Sequence, residues 1–140
     1  MQSLDPQWHS VPWDGLSALS AELSASGSLT PAIHVWQAEL GAEIAQLELL
    51  SQWLSMDERD RADRFYFEHH RRRFIMARGI LRSVLGGYLA HHPSQIRFCY
   101  SSRGKPSLAF ADPEQRLYFN VSHSEDLSLY AIAGNPWVSM

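Results

Sequence analysis

Basic side chains are concentrated in the middle of this 140-residue chain, and their type and spacing suggest a binding chemistry. All 12 Lys and Arg residues lie between Arg59 and Arg116, and 11 of the 12 are arginine. A guanidinium group is planar and can bind a phosphate or carboxylate through two parallel hydrogen bonds. The pattern predicts an anion-binding region, with a solvated helix face balanced by its own acids as the alternative.

A second candidate site is Ser122-His123, at the end of a predicted strand. A hydroxyl, an imidazole that can carry charge near neutral pH, and backbone amides at a strand end can together bind a phosphate. A catalytic Ser–His dyad is disfavoured, because adjacent residues on a strand point to opposite faces. Purely structural polar residues are the alternative interpretation.

Composition disfavours several other classes of protein. The single cysteine, Cys99, excludes an intramolecular disulfide and a cysteine-based zinc cluster. The pairs His69-His70 and His91-His92 are adjacent rather than four residues apart, so we expect no histidine metal site. Aromatic residues beside Arg71–Arg73 are compatible with nucleic-acid binding, but a pI of about 6.1 and an acidic N-terminal part argue against it.

The first 30 residues contain no Lys or Arg, and no stretch approaches 18 apolar residues. We therefore expect neither an ordinary signal peptide nor a membrane span, and we predict a cytoplasmic protein. The net charge of −3 and the 45% hydrophobic content fit one globular domain.

The elements that must position these residues change in type along the chain. Residues 1–30 are interpreted as a poorly specified leader with one weak helix at 15–26. A capping box formed by Ser55 and Glu58 predicts a helix that runs to about His69, and His91-His92-Pro93 ends the next helix. The remaining predictions are a strand at 31–40, a helix at 42–54, a helix from Arg71, and strands at 96–100, 117–121 and 127–133.

Two turns complete this organisation: Arg103-Gly104-Lys105-Pro106, and the hairpin connection Ser124-Glu125-Asp126. The order of elements predicts an α+β fold, with helices packed on a small, mainly antiparallel sheet. The domain is expected to span residues 31–134, followed by a tail at 135–140.

The order of these motifs resembles the two-lobed 4′-phosphopantetheinyl transferases, and the match corresponds to their N-terminal lobe. It covers roughly residues 32–134. Each motif is weak by itself, but the shared order and spacing are specific. The matching elements are Ile33-His34-Val35-Trp36, Asp63-Arg64-Phe65, Arg72-Arg73-Phe74 with Ala77-Arg78-Gly79-Ile80-Leu81-Arg82, Gly104-Lys105-Pro106, and Phe119-Asn120-Val121-Ser122-His123-Ser124.

The resemblance implies one lobe of a pseudo-twofold fold and a Mg²⁺-dependent transfer of phosphopantetheine. The donor would be coenzyme A, and the acceptor a serine of an apo acyl or peptidyl carrier protein. Lys105, Ser122 and His123 would contact the coenzyme A phosphates. Arg61 and Arg73 would hold the 3′-phosphoadenosine end, and Arg78 is a further candidate.

The chain departs from the family pattern after its last predicted strand. No acid occurs after Asp126, so the family's Mg²⁺-binding acids and its catalytic lysine have no counterpart here. We expect a truncated or fragment product that does not catalyse efficiently alone and that can self-associate through an exposed lobe face. The alternatives are a non-catalytic coenzyme A or carrier-protein binding module and a basic nucleic-acid-binding module.

Overall fold

The computed structural model describes residues 7–10, 33–41, 44–109 and 117–134. Within them the helices are α1 (Ile44–Trp53), α2 (Met56–Asp63) and α3 (Glu68–Leu89), with a short 3₁₀ turn at Pro93–Gln95. The strands are β1 (Gln7–Ser10), β2 (His34–Glu39), β3 (Phe98–Tyr100), β4 (Pro106–Leu108), β5 (Tyr118–Ser124) and β6 (Leu127–Ala133). This is the α+β architecture that the sequence predicts.

The main sheet has four strands in the order β1-β2-β6-β5. Strands β2 and β6 pair antiparallel, as do β5 and β6, while β1 pairs parallel with β2. Ser124 pairs with Leu127, so Glu125 and Asp126 form the two-residue hairpin connection, with Glu125 at a φ of 52°. A separate two-stranded hairpin joins β3 to β4 and leaves β5 at the edge of the main sheet.

Helix α3 packs across the sheet and supplies much of the core. Its buried apolar residues recur at helical spacing: Ile75, Met76, Ile80, Leu81, Val84 and Leu85. Gly79 lets α1 approach closely, since a Cβ built there would lie 2.8 Å from Cβ of buried Leu50. The Tyr88 hydroxyl accepts a 2.8 Å hydrogen bond from Trp36 Nε1 and lies 2.6 Å from His34 Nδ1, which joins α3 to β2.

The predicted helix from Ser55 to about His69 is wrong in its second half. Ser55 does form the capping box with Glu58, but α2 ends at Asp63 and α3 begins at Glu68. The intervening Phe65-Tyr66-Phe67 are aromatic residues, which have lower helix propensity than the flanking residues, and Phe67 adopts an extended conformation before α3. The break between the two predicted helices therefore lies at residues 64–67 instead of near His70.

Five predicted elements are confirmed to within three residues, as far as the described residues reach: the helix at 42–54 and the strands at 31–40, 96–100, 117–121 and 127–133, the last without any difference. Both predicted turns are confirmed as well. The sequence analysis missed β1, which lies inside the predicted leader, and β4. The weak helix predicted at 15–26 and the tail at 135–140 lie outside the described residues. None of the described helices combines the length and apolar character needed to cross a membrane.

Candidate functional site

A cavity of about 440 Å³ opens between the two arginine-bearing helices and the β5–β6 hairpin. Its volume lies in the range of about 300–1,000 Å³ that is common for small-molecule sites. Helix α3 supplies one continuous wall, because residues three and four apart share a helix face. The lining residues are Leu40, Arg61, Phe65, His70, Arg73, Phe74, Ala77, Arg78, Leu81, Pro106, Val121, His123 and Glu125.

Three arginines give the cavity a cationic wall that a single lining glutamate only partly offsets. The guanidinium of Arg61 lies 5.2 Å from the centre of the Phe74 ring, and no carboxylate of the described residues pairs with it. Arg73 Nε donates a 3.1 Å hydrogen bond to Asp126 in the hairpin turn. That contact is half-exposed and therefore weak, so it leaves Arg73 available to an incoming anion.

Arg78 enters the cavity from a buried ionic cluster. Its Nη1 donates 2.9 Å hydrogen bonds to Glu58 Oε2 and to the Tyr100 hydroxyl. Glu58 Oε1 accepts from Arg82 Nε at 2.7 Å, and the Glu58 and Arg82 side chains are only 1% and 3% exposed. Arg82 also donates to the carbonyls of Pro93 and Ile96. Two guanidinium groups therefore share one carboxylate beside the cavity.

Tyr130 fixes the sheet to the helix beneath this wall. Its hydroxyl donates a 2.8 Å hydrogen bond to the carbonyl oxygen of Ala77, a cavity-lining residue. Tyr130 is fully buried, and desolvation raises the pKa of its hydroxyl well above the ordinary value for tyrosine. A buried, neutral tyrosine side chain thus holds the cavity-lining part of α3 against the sheet.

The structure brings four of the six predicted site residues to one cavity: Arg61, Arg73, Arg78 and His123. His123 lines it together with Val121, two residues earlier on β5, as expected for alternate residues of a strand. Ser122 lies between them and is not a lining residue, and Lys105 is exposed and next to lining residue Pro106. Gly104 adopts a φ of 81° in the turn before Lys105.

The sequence analysis did not assign His70, Phe65, Phe74 or Glu125 to the site, yet all four line the cavity. His70 was considered only as part of an adjacent histidine pair. Its position three residues before Arg73 and four before Phe74 places it on the cavity face of α3, so helical spacing was the signal that could have found it. Glu125 lines the cavity only because of the hairpin, which such spacing does not predict.

Magnesium has no evident place among the described residues. In residues 33–41, 46–109 and 117–134, no three His, Cys, Asp or Glu side chains lie together in a group that could hold a metal ion. The paired acids beside the cavity are already bound to arginine: Glu58 to Arg78 and Arg82, and Asp126 to Arg73. The donor set of this cavity fits an anion and does not fit Mg²⁺.

Comparison with known proteins identifies the family of this chain. The family description "4′-phosphopantetheinyl transferase, N-terminal" matches residues 36–136. The 4′-phosphopantetheinyl transferase HetI of Nostoc sp. is 51% identical over 104 residues, which are 74% of this chain and 44% of that protein. A phosphopantetheinyl transferase of Thraustochytrium sp. is 34% identical over 77 residues, 55% of this chain and 26% of that protein.

The fold and site therefore define an α+β domain with an arginine-lined cavity beside its main sheet. The chain belongs to the 4′-phosphopantetheinyl transferase family and matches its N-terminal portion. It spans less than half the length of the curated relatives that it matches.

Proposed function

We propose that this cavity is the phosphate-binding half of a coenzyme A site. We propose further that the chain serves the transfer of phosphopantetheine from coenzyme A to a serine of an apo acyl or peptidyl carrier protein. One observation carries the proposal: Arg61, Arg73, Arg78 and His123 converge on a single cavity from two helices and a strand. Coenzyme A bears a diphosphate and a 3′-phosphate, and such a ligand needs several cationic donors at once.

In the proposed complex, each residue holds a defined part of the ligand. Arg61 and Arg73 bind the 3′-phosphoadenosine end, and Arg78 and His123 bind phosphate oxygens deeper in the cavity. Lys105 and Ser122 do not line the cavity, and their role as phosphate contacts remains a prediction that rests on the matching motifs of the family. Phosphate binding orients the ligand, and the transfer step itself requires groups that the described residues do not include.

Isothermal titration calorimetry with coenzyme A tests the proposal. The matched pair of variants is His123→Ala, which removes a lining imidazole, and His91→Ala, which removes an exposed imidazole away from the cavity. We expect the wild type and His91→Ala to bind with the same affinity. We expect His123→Ala to bind at least about tenfold more weakly, which corresponds to one lost hydrogen bond to a charged group.

The same titrations separate the alternatives. A folded wild-type chain that does not bind coenzyme A contradicts the proposed function. Binding of a short DNA or RNA duplex that weakens steeply with salt, without coenzyme A binding, would favour the nucleic-acid alternative. Incubation with coenzyme A, Mg²⁺ and an apo carrier protein, followed by mass spectrometry, tests transfer by this chain, and sedimentation of the same samples tests the predicted self-association.

A further inference from the structure

We propose that Glu58 is a positioning residue, which holds the guanidinium of Arg78 at the cavity wall in the orientation that binds phosphate. The inference rests on the proposed function of the cavity. Glu58 does not line the cavity and is not one of the proposed phosphate-binding residues. Glu58 lies on α2, and its side chain is only 1% exposed. It acts on the ligand only through Arg78.

Glu58 is itself held from both sides. Its Oε1 accepts a 2.8 Å hydrogen bond from the backbone N–H of Ser55, within the capping box. Arg82 donates to the same oxygen and is anchored by hydrogen bonds to the carbonyls of Pro93 (3.0 Å) and Ile96 (2.7 Å). The carboxylate is thus fixed to the end of one helix and, through Arg82, to the 3₁₀ turn.

Arg78 uses only part of its donor capacity in this cluster. Both of its hydrogen bonds, to Glu58 Oε2 and to the Tyr100 hydroxyl, come from Nη1. The described residues offer no acceptor to its Nε or Nη2, and Arg78 lines the cavity. The ring of Phe74 lies 5.3 Å from the guanidinium carbon and limits its movement on a further side. The two remaining donor groups are therefore available to a ligand.

Removing the charge of Glu58 should change the affinity for an anion in opposite directions, depending on how Glu58 acts. Two guanidinium groups and one carboxylate leave the buried cluster with one net positive charge. If Glu58 acted on the ligand only through its charge, its removal would make the cavity more positive and strengthen anion binding. If Glu58 acts by positioning Arg78, its removal weakens binding in spite of the added positive charge. The direction of the change separates the two roles.

The test compares Glu58→Gln, Tyr100→Phe and Ser55→Ala by calorimetry with coenzyme A on the full chain. Glu58→Gln keeps the side-chain shape and removes the charge, and Tyr100→Phe removes the second acceptor of Arg78 at a position that is 40% exposed. Ser55→Ala is the control for Arg78. It removes the capping hydroxyl and its 3.1 Å hydrogen bond to Glu58 Oε1, but it keeps the 2.8 Å bond from the Ser55 backbone N–H and both hydrogen bonds of Arg78. We expect affinity losses of about tenfold for Glu58→Gln, about threefold for Tyr100→Phe, and less than about twofold for Ser55→Ala.

Glu58→Gln leaves two buried guanidinium groups without a carboxylate and can fail to fold, in which case Tyr100→Phe decides the test. Loss of affinity in Tyr100→Phe no greater than in Ser55→Ala would overturn the inference, as would stronger binding by folded Glu58→Gln. An Arg78→Ala background provides a further check. In that background Glu58→Gln should have no additional effect on affinity, and an undiminished effect contradicts action through Arg78.

A readout without ligand separates this inference from the proposed function. The Nε–H resonance of Arg78, assigned by its loss in Arg78→Lys, should be sharp and dispersed in the wild type and in Ser55→Ala. In Tyr100→Phe, and in Glu58→Gln if that variant folds, the Arg78 resonance should broaden or move to the chemical shift of solvent-exposed arginines. An unchanged resonance in the variants refutes positioning. A wild-type chain that shows the fixed resonance but does not bind coenzyme A refutes only the proposed function.

Discussion

Arg61 offers the sharpest test of how the cavity recognises its ligand. It lines the cavity from α2 and has no carboxylate partner among the described residues, so removing it breaks no ion pair there. Its contact with the Phe74 ring is exposed and contributes about 0.5–1 kcal/mol to stability. Arg64, three residues later at the end of the same helix, is exposed and does not line the cavity. Arg61→Ala and Arg64→Ala therefore change the net charge equally, and only one of them changes the cavity.

The affinity losses expected for Arg61→Ala and Arg64→Ala differ because only Arg61 lines the cavity. A hydrogen bond to a charged group contributes about 1.5–3 kcal/mol, which corresponds to roughly 10- to 150-fold in affinity. We therefore expect Arg61→Ala to bind coenzyme A at least about tenfold more weakly. The Arg64 charge acts on the cavity only at a distance, where salt screens it over about 8 Å at physiological ionic strength. Arg64→Ala should change the affinity by less than about threefold.

Calorimetry at about 0.15 M salt, with coenzyme A and with 3′-dephospho-coenzyme A, measures both effects. If Arg61 binds the 3′-phosphate, Arg61→Ala should greatly weaken the binding of coenzyme A and change the binding of 3′-dephospho-coenzyme A little. Equal losses for the two variants would refute a direct contact from Arg61. An equal loss for the two ligands would refute its assignment to the 3′-phosphate.

Three further predictions concern the fold and the charge of the cavity. Gly79→Ala should destabilise the protein by about 1 kcal/mol in thermal or urea unfolding, because overpacking against buried Leu50 costs about 1–3 kcal/mol and the gain in helix propensity offsets about 1 kcal/mol. The free energy of unfolding should fall as pH rises above about 10, since burial raises the pKa of Tyr130 in the folded state and the unfolded phenol ionises first. Tyr130→Phe should flatten that decline in pH-dependent denaturation, and an unchanged slope would contradict it. Glu125→Gln should strengthen coenzyme A binding about twofold at low salt by removing a cavity-lining carboxylate, and a gain that persists at high salt would argue against an electrostatic cause.

Local signals predict much of this fold because they act within short stretches of chain. The capping box needs only Ser55 and Glu58, and the hairpin turn at Glu125-Asp126 needs only the alternation of the two strands around it. Strand β1 had no comparable signal, because its four residues join the sheet through parallel pairing with β2, a distant partner. Strand β4 contains Pro106, which weakens any strand prediction, and its one partner among the described strands is three-residue β3.

The candidate site was predictable in its charge and only partly in its geometry. Clustered arginines predict an anion-binding region, and the four-residue spacing of Arg78 and Arg82 puts both on one face of α3. That spacing could not tell which of the two would reach the cavity. Glu58 binds both arginines, and the difference arises from the carbonyls of Pro93 and Ile96, in and directly after the 3₁₀ turn, which accept hydrogen bonds from Arg82. Such contacts depend on how α2 and the turn pack against α3, which no local pattern encodes.

The arginines around this cavity differ in how many of their guanidinium nitrogens form hydrogen bonds within the protein. Arg82 directs each of its guanidinium nitrogens to Glu58 or to main-chain carbonyls, so it serves the fold. Arg78 forms hydrogen bonds through Nη1, and its Nε and Nη2 have no acceptor among the described residues. It therefore connects the buried cluster to the cavity. Arg61 contacts only an aromatic ring among the described residues and keeps its donors for a ligand. In the proposed site, the arginines that the fold holds fixed shape the wall, and the arginine donors left unpaired are the ones that bind the anion.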